Sequence, residues 1–530
     1  MVFALLFPAP GFAQVPDEPQ RTEILKSVEV LDVSRAQIRN LSYDPQGFWL
    51  KGTDVVREFS VRDAGELFKK FFISMHENFI EPISYQDLFT HSIAALSTRL
   101  PPEKRLRVDL NGSRLMLYDH NFRVLGNFPA IAHDDPERWA NMLVNIIINL
   151  RKTHEEFADL HAEQIYYLVL GGLIVWADRG GEYRSAFDTR NRALVRNTAT
   201  LGATYRLTSE GLQILSLLHE GPLFYAGLGE GDLIITINGR DVRRMSLENL
   251  EASFFGESKD MAAFQYISYT TGLPGEATVR KAKVISPRVV AEAFSGFPGI
   301  TVYNFGDGAA AQMKAAIDSL QGEGLVLDLR AAQGGSVAEA LEAANLFLDK
   351  QDMLRIAMRD GSKRTYTSKQ TDHWKGKPIV LLVDGSTRGT GEVFALALSG
   401  RAAFLGTPTS GDGFYRTVFA LNREREVEFA TGEVFSMRGK SLAQVGVAPA
   451  ACVSSLIDEV SVKRFVQSLA DGSFKDTRNI PDRATKEEAE RIRTSCPATY
   501  PGPEREKLFE MAAAALLSNP AAYKKLLSYD

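Results

Sequence analysis

The hydrophobic pattern of the chain changes near residue 198. Before that point, apolar residues recur every three or four positions, as they do between residues 60 and 100 and again between 140 and 177, which is typical of amphipathic helices. Residues 101–130 instead alternate apolar and polar side chains around an Asn111–Gly112 pair, which favours a β-hairpin. We therefore predict a mostly helical N-terminal region over residues 21–195 with a β insertion at 101–130.

Beyond residue 198 the pattern predicts first a β region and then an α/β region. Short apolar strands separated by glycine turns fill residues 198–285, and strands alternate with helices over residues 286–455. Residues 456–530 return to helical spacing, which predicts a C-terminal helical segment that either packs on the core or offers a docking face to a partner. The predicted fold class is therefore α+β multidomain.

Composition narrows the range of functions. The 530 residues carry 61 basic and 66 acidic side chains, a net charge of −5, which argues against a strongly basic nucleic-acid binder. Two cysteines exclude a four-cysteine zinc site, and no metal or nucleotide motif is evident, so we predict neither a metal nor a cofactor. The apolar run Ile165–Ala177 is 13 residues long, short of the ~20 that span a bilayer, and predicts a buried core helix rather than a transmembrane segment.

The two ends of the chain indicate export. Residues 1–14 are apolar and end in small residues, as a secretory signal does near its cleavage site, although the basic start of such a signal is missing. We predict a truncated signal peptide and a periplasmic or otherwise exported protein. In an oxidising compartment Cys452 and Cys496 are candidates for a disulfide that ties the C-terminal segment to the core, and two unrelated buried thiols are the alternative.

One string in the β region is specific. Residues Ala226–Gly239 read A-G-L-x-x-G-D-x-I-x-x-I-N-G and resemble a PDZ domain. The resemblance implies a groove in which an extended peptide adds to a strand edge, with its terminal carboxylate held by a loop at Leu201, Gly202, Ala203 and Thr204. The alternative is a PDZ fold whose closed groove serves only for packing.

A second string follows in the α/β region. Residues 327–335 read L-D-L-R-x-x-x-G-G, and a PDZ domain followed by this string resembles the C-terminal processing, or tail-specific, serine protease family. Val383–Ser386, Glu392, Leu405–Thr409 and Gly446–Pro449 also resemble that family's motifs. The resemblance implies a serine nucleophile, a lysine base oriented by a glutamine, and an oxyanion loop at Gly334 and Gly335.

The catalytic positions that this resemblance assigns are all substituted, so no catalytic residue is intact. Gly389 stands at the serine position, Asp412 at the lysine position and Arg416 at the glutamine position. Glycine offers no nucleophile, and an aspartate anion opposes a developing oxyanion. We expect Asp412 and Arg416 to form an ion pair that stabilises the emptied site.

Other groups could supply a relocated nucleophile. Ser386 is the fallback, and Thr390 is a second hydroxyl that suits a helix N-cap more simply. Lys440 and His373 are the possible bases.

These patterns lead to one functional interpretation and one alternative. The interpretation is a pseudoprotease that binds polypeptide C-termini or unstructured segments as an adaptor or scaffold, alone, as a homo-oligomer or as a hetero-oligomer with an active protease. The alternative is an active serine-type endopeptidase that cleaves protein C-terminal regions with a displaced nucleophile.

Overall fold

The structure is a computed structural model. It describes residues 59–111, 114–129, 134–158, 160, 162–184, 199–207, 211–217, 221–245, 247–282, 288–330, 332–476, 478–497 and 503–528. The predicted signal peptide at residues 1–14 lies outside these ranges. In the described part of the chain, no helix is long and apolar enough to cross a membrane.

The secondary structure is mixed α+β, as predicted. The α-helices are α1 Val61–Asn78, α2 Tyr85–Ser97, α3 Pro136–Thr153, α4 Glu155–Ala158, α5 Ala162–Tyr166, α6 Gly172–Ala177, α7 Pro222–Tyr225, α8 Leu247–Phe254, α9 Ala309–Ser319, α10 Val337–Asn345, α11 Thr390–Ala397, α12 Glu459–Ala470, α13 Lys486–Ser495, α14 Pro503–Leu517 and α15 Pro520–Leu527. Short 3₁₀ turns lie at Pro102–Lys104, Val242–Arg244 and Val453–Ser455, and a π-helical turn lies at Tyr167–Gly171.

The strands fall into five sheets. They are β1 Arg107–Asn111, β2 Arg114–Tyr118, β3 Val124–Pro129, β4 Glu182–Arg184, β5 Ala199–Thr200, β6 Ala203–Leu207, β7 Leu212–Leu217, β8 Leu233–Ile237, β9 Arg240–Asp241, β10 Phe255–Gly256, β11 Met261–Ile267, β12 Pro274–Arg280, β13 Val289–Phe294, β14 Phe297–Val302, β15 Leu325–Asp328, β16 Asp352–Met358, β17 Lys363–Thr367, β18 Ile379–Val383, β19 Ala403–Gly406, β20 Phe414–Ala420, β21 Glu426–Ser436 and β22 Ala451–Cys452.

The chain divides into two compact units that interleave along the sequence. Of the described residues, the first unit comprises those within 59–64, 144–169 and 184–286, and the second comprises those within 65–143, 170–183 and 287–528.

In the first unit, β12, β11, β8, β7 and β6 form an antiparallel sheet in that order, with β9 added to β8. A buried apolar cluster that includes Leu212, Ile234 and Phe264 fills its core. The Asn238–Gly239 pair turns the chain between β8 and β9 with positive φ at both residues, as a tight hairpin turn requires.

In the second unit, a six-stranded sheet runs in the order β13-β14-β15-β18-β19-β22. All pairings are parallel except that between β13 and β14. Every residue of β18 is buried, because a parallel sheet of this kind is covered on both faces. Ile379, Leu381 and Val383 belong to one apolar cluster, and the intervening Val380 and Leu382 belong to the other.

Different helices cover the two faces of this sheet. The first cluster includes residues of α9, α10 and α11, and the second includes residues of the C-terminal helices α12, α14 and α15. The Tyr523 hydroxyl of α15 accepts a hydrogen bond from the Ile379 N–H at 3.0 Å. Of the two predicted roles for the C-terminal segment, the structure therefore shows packing on the core.

The apolar run Ile165–Ala177 does not form the buried core helix that the sequence predicts. It is interrupted by the π-helical turn, and its last residues reach the surface: Val175 is 61% exposed and Trp176 is 44% exposed. The Trp176 ring stacks on the His91 ring with centroids 3.6 Å apart. The run is therefore buried at Leu173 and Ile174 and exposed at Val175 and Trp176.

The C-terminal packing gives a first prediction. Leu526→Ala leaves a cavity in the cluster under the sheet, where Leu526 is fully buried, and should lower the free energy of unfolding by about 2–5 kcal/mol. Lys524→Ala, an exposed position on the same helix, should change it by less than about 0.5 kcal/mol. Urea denaturation followed by circular dichroism measures both. Equal stability of the two variants would contradict the packing role of the C-terminal helices.

Candidate functional site

Three loops meet at the carboxyl edge of the parallel sheet. We call residues 332–336, after β15, the first loop; residues 384–389, after β18, the second loop; and residues 407–413, after β19, the third loop. The three strands are adjacent in the sheet, so their loops lie side by side. This edge is where open α/β sheets bind their ligands.

A buried carboxylate joins the second and third loops to α11. Glu392, in the first turn of α11, is fully buried. It accepts hydrogen bonds from the N–H groups of Gly389 at 3.0 Å, Gly411 at 2.7 Å and Asp412 at 3.0 Å, and from the hydroxyl groups of Ser410 at 3.0 Å and Thr409. The Thr409 hydroxyl itself accepts from the Val447 N–H at 2.8 Å, which directs its proton to Glu392. Glu392 therefore fixes the path of both loops.

Opposing effects act on the ionisation of Glu392. Burial raises the pKa of its carboxyl above the ordinary value, and hydrogen bonds from the Thr409 hydroxyl and the Gly411 N–H work in the other direction. All five partners donate, so the site satisfies the carboxylate oxygens in the way a buried charge requires.

Asp412 and Arg416 form the ion pair that the sequence predicts, and a third residue joins them. Arg416 donates to both oxygens of Asp412, at 2.6 and 3.0 Å, and to both oxygens of Asp178, at 2.7 and 2.8 Å. All three side chains are largely buried, with exposures of 12% for Arg416, 16% for Asp412 and 5% for Asp178. The pKa of Arg416 is raised by these two carboxylates against the effect of burial, so the guanidinium stays charged.

Sequence reasoning missed Asp178. It lies 238 residues before Arg416, just after α6, and it also accepts the Ala430 N–H at 2.9 Å. No motif or periodicity marks it, because its role depends only on where tertiary folding places it.

Gly389, the residue at the expected nucleophile position, lies beside Asp412. A side-chain carbon built on Gly389 would point toward Asp412, 3.7 Å from Oδ2. The structure thus brings together the three positions that the resemblance assigns to catalysis. Gly389 has φ +54°, a conformation in which glycine is unstrained and an L side chain is not, and it immediately precedes α11.

Gly334 and Gly335 belong to the first loop, which lies beside the second loop. The Gly334 carbonyl accepts hydrogen bonds from the Phe305 N–H at 2.9 Å and from the Thr390 hydroxyl at 2.7 Å. Gly335 has φ +101°, and a Cβ there would lie 2.0 Å from a Phe305 backbone atom, so only glycine fits. The predicted oxyanion loop is therefore next to the residues that precede α11.

The fallback groups are not arranged as a nucleophile and its base. Ser386 is exposed, and its N–H donates to Asp384 at 2.8 Å. Lys440 Nζ donates to the Ile480 carbonyl at 2.9 Å, and the backbone N–H of His373 donates to the Leu346 carbonyl at 2.7 Å. In the described residues no hydrogen bond joins either side chain to Ser386.

Thr390 is not the helix N-cap that the sequence suggested. Gly389 occupies that position, and α11 begins at Thr390 itself. The Thr390 hydroxyl donates a hydrogen bond to the Gly334 carbonyl, and the Glu392 side chain accepts a hydrogen bond from the Gly389 N–H. A buried carboxylate in the first turn of the helix thus takes over the capping role.

In the first unit, the predicted peptide-binding residues form the turn into an edge strand. Leu201 is buried and its carbonyl accepts the Leu223 N–H at 3.1 Å, and Gly202 has φ +76°. Ala203 and Thr204 then open β6, which pairs with β7 on one side and ends the sheet. The Tyr205 ring of β6 lies 4.1 Å from the Phe254 ring of α8, so this strand faces that helix.

Comparison with known proteins shows which family part of the chain is similar to. Residues 299–453 match the peptidase family S41.

The chain is similar to several proteins over part of its length. The carboxyl-terminal-processing protease of Synechocystis sp. is 26% identical over 251 residues, which are 45% of this chain and 58% of that protein. The chain thus spans less than two thirds of this relative. The solved photosystem II D1 C-terminal processing protease is 17% identical, with a TM-score of 0.40 over 73% of this chain and 92% of that one. The PDZ domain of the carboxy-terminal protease from Vibrio cholerae, in complex with peptide, is 23% identical over 16% of this chain and 94% of that one, with a TM-score of 0.15.

The second loop gives a pH prediction. Burial raises the pKa of Asp384 to about 6 from 3.8, although the Ser386 N–H and Arg330 act in the opposite direction. The native state therefore holds this proton more tightly than the unfolded state, so the stability that Asp384 contributes is lost as the pH rises from about 4 to 7. Asp384→Asn lacks this loss and should gain stability relative to the wild type over that range, as measured by thermal unfolding in a pH series.

Asp471→Asn is the matched control for this pH series. Hydrogen bonds from Ser473 lower the pKa of Asp471, so the stability linked to its ionisation changes only below about pH 4, and the stability difference between this variant and the wild type should stay constant as the pH rises from about 4 to 7. A stability difference between Asp384→Asn and the wild type that does not vary with pH would contradict the raised pKa.

The ion cluster gives a third prediction. Arg416→Leu leaves the carboxylates of Asp178 and Asp412 buried without their cation and should cost about 3–5 kcal/mol of unfolding free energy. Asp412→Asn should cost less, because Arg416 keeps Asp178. The cost of the double variant should be smaller than the sum of the two single costs by at least about 1 kcal/mol, as measured in a double-mutant cycle by urea denaturation. Additive costs would show that the pair is not coupled.

Proposed function

We propose that this protein is a catalytically inactive relative of the C-terminal processing serine proteases that binds polypeptide C-termini or unstructured segments. It acts as an exported adaptor or scaffold, alone or in an oligomer that can include an active protease. The proposed layout is a helical region over residues 21–195, a PDZ domain over 198–285, a protease-like core over 286–455 and a helical segment over 456–530.

One observation supports the proposal that the protein is catalytically inactive. Where the family resemblance places a serine and a lysine, Gly389 faces Asp412, and Asp412 is bound on both oxygens by Arg416. The position has no nucleophile, and the group opposite it is an anion that would repel a developing oxyanion rather than stabilise it. The loops around it nevertheless keep a defined shape, because Glu392 rather than a catalytic residue holds them.

The binding role rests on the first unit. β6 ends its sheet in the described residues, and an edge strand is the element to which an extended peptide adds by main-chain hydrogen bonds. The turn at Leu201 and Gly202 stands at the start of that edge, where a peptide's terminal carboxylate would be held. The Tyr205 and Phe254 rings form the apolar floor between β6 and α8.

The test combines a cleavage assay with a binding assay. Purified wild-type protein and a Ser386→Ala variant are incubated with casein, and we expect no cleavage by either. Cleavage by the wild type that disappears in the variant would overturn the inactive state and assign the nucleophile to Ser386.

Binding is measured by fluorescence anisotropy with a labelled apolar decapeptide that carries a free C-terminal carboxylate, and with its C-terminal amide. We expect the free acid to bind at least tenfold more tightly. Gly202→Ala should weaken this binding at least tenfold, whereas Gly239→Ala, at a similar φ of +74° in the β8–β9 turn, should leave it unchanged. Equal binding of acid and amide, or equal effects of the two variants, would contradict carboxylate recognition by this turn.

A further inference from the structure

The third loop is held from outside the S41 core by helix α13. Arg493 of α13 directs Nη2 at the Gln444 carbonyl at 2.6 Å and the Ser410 carbonyl at 3.0 Å. The next two residues of the loop, Gly411 and Asp412, donate their N–H groups to Glu392. The loop is therefore fixed on one side by a buried carboxylate and on the other by an arginine from the C-terminal segment.

Helix α13 has few apolar contacts of its own. Its buried residues are Ala489 and Ile492, which pack in a small cluster with Val445 and Ala448, separate from the large cores. A helix of 10 residues is too short to be stable without tertiary support. The position of α13 therefore depends strongly on how its ends are attached.

A disulfide attaches the C-terminal end. Cys496 directly follows α13 and is bonded to Cys452, the last residue of strand β22, across 44 residues of sequence. Arg493 lies less than one helical turn before Cys496. The bond thus fixes the part of α13 that carries the contact to the third loop.

The surroundings of the disulfide suit exchange with an external thiol. Cys452 is half-buried and can be approached, whereas Cys496 is buried. The Ser454 hydroxyl lies 2.7 Å from Cys452 Sγ and 3.9 Å from Cys496 Sγ. A hydroxyl beside both sulfurs can donate to the thiolate that leaves when the bond is broken, and stabilising the leaving thiolate speeds exchange.

We propose that the Cys452–Cys496 disulfide is a redox switch that controls the order of the third loop through Arg493. A dithiol reductant attacks Cys452 Sγ as a thiolate, a bond forms between the two sulfurs, the Cys452–Cys496 bond breaks, and Cys496 leaves as a thiolate. The second thiol of the reductant then releases Cys452 and leaves as the oxidised reductant. The end of α13 loses its attachment, Arg493 withdraws from the carbonyls of Ser410 and Gln444, and the third loop opens.

This inference does not depend on the proposed function. It rests on the contacts of Arg493, the disulfide and Ser454, and it holds whether the three loops bind, cleave or only support the fold. Its consequence is that the site would be ordered in an oxidising compartment and loosened in a reducing one.

Amide hydrogen exchange measured by mass spectrometry tests the switch on the full chain. The oxidised protein is compared with protein treated with millimolar dithiothreitol, in which alkylation confirms two free thiols. We expect reduction to accelerate exchange of the Gly411 and Asp412 amides at least tenfold. The amides of strand β18, in the centre of the sheet, should change less than twofold.

Two arginine variants separate the switch from a general loss of stability. Arg493→Ala should speed the exchange of the third loop in the oxidised protein, and reduction should then add less than a further twofold. Arg491→Ala is the control on the same helix, because Arg491 contacts the Asn479 carbonyl and should respond to reduction as the wild type does. The double variant Cys452→Ser with Cys496→Ser should reproduce the reduced state without a reductant.

Several outcomes would overturn the proposal. One is an unchanged third loop after reduction, and another is equal acceleration of β18 and the third loop, which would mean a purely global effect. A full response to reduction in Arg493→Ala would exclude the arginine as the link. A disulfide that resists dithiothreitol under native conditions would exclude the switch itself.

Discussion

The buried carboxylate of Glu392 is the constraint on which the candidate site depends. An ion taken out of water must be given hydrogen-bond donors, and at this position the donors come from the second loop and from the third loop. Satisfying one charge therefore determines the course of two loops that are distant in sequence. None of these donors is a side chain at a position that the resemblance assigns to catalysis. The shape of the loops can for this reason persist when the catalytic positions are occupied by other residues.

The residues at those positions form a stable arrangement of their own. Arg416 lies between two buried carboxylates, so the charge of Asp412 in the third loop is balanced by a cation four residues further along the chain, and the same cation pairs with Asp178 just after α6. Gly389 occupies a backbone conformation with φ +54° that costs a glycine little and any other residue more. The backbone at Gly389 is thus unstrained, and the charges of Asp178 and Asp412 are paired with Arg416.

The C-terminal segment has two structural roles that follow from the same sheet. A parallel sheet with two apolar faces needs two layers of cover, and α12, α14 and α15 supply the second layer over β18 and its neighbours. Helix α13 does not take part in that layer. It lies instead against the third loop, with Arg493 bonded to main-chain carbonyls and its end joined to β22 by the disulfide. Packing on the sheet therefore accounts for the positions of α12, α14 and α15, and the contact with the third loop accounts for the position of α13.

The sequence by itself determined the features that depend on neighbouring residues. The alternation of strands and helices after Gly299 and the glycine loops could both be read from local patterns, as could the resemblance to the C-terminal processing protease family that the comparisons confirmed. Only the tertiary structure revealed Asp178 beside Arg416, the Thr390 hydroxyl bonded to Gly334 instead of capping its helix, and the exposed end of the Ile165–Ala177 run. The physical reason is that hydrogen bonds, charges and burial depend on distances in space. A residue 238 positions away leaves no periodicity or motif in the sequence by which its partner can be recognised.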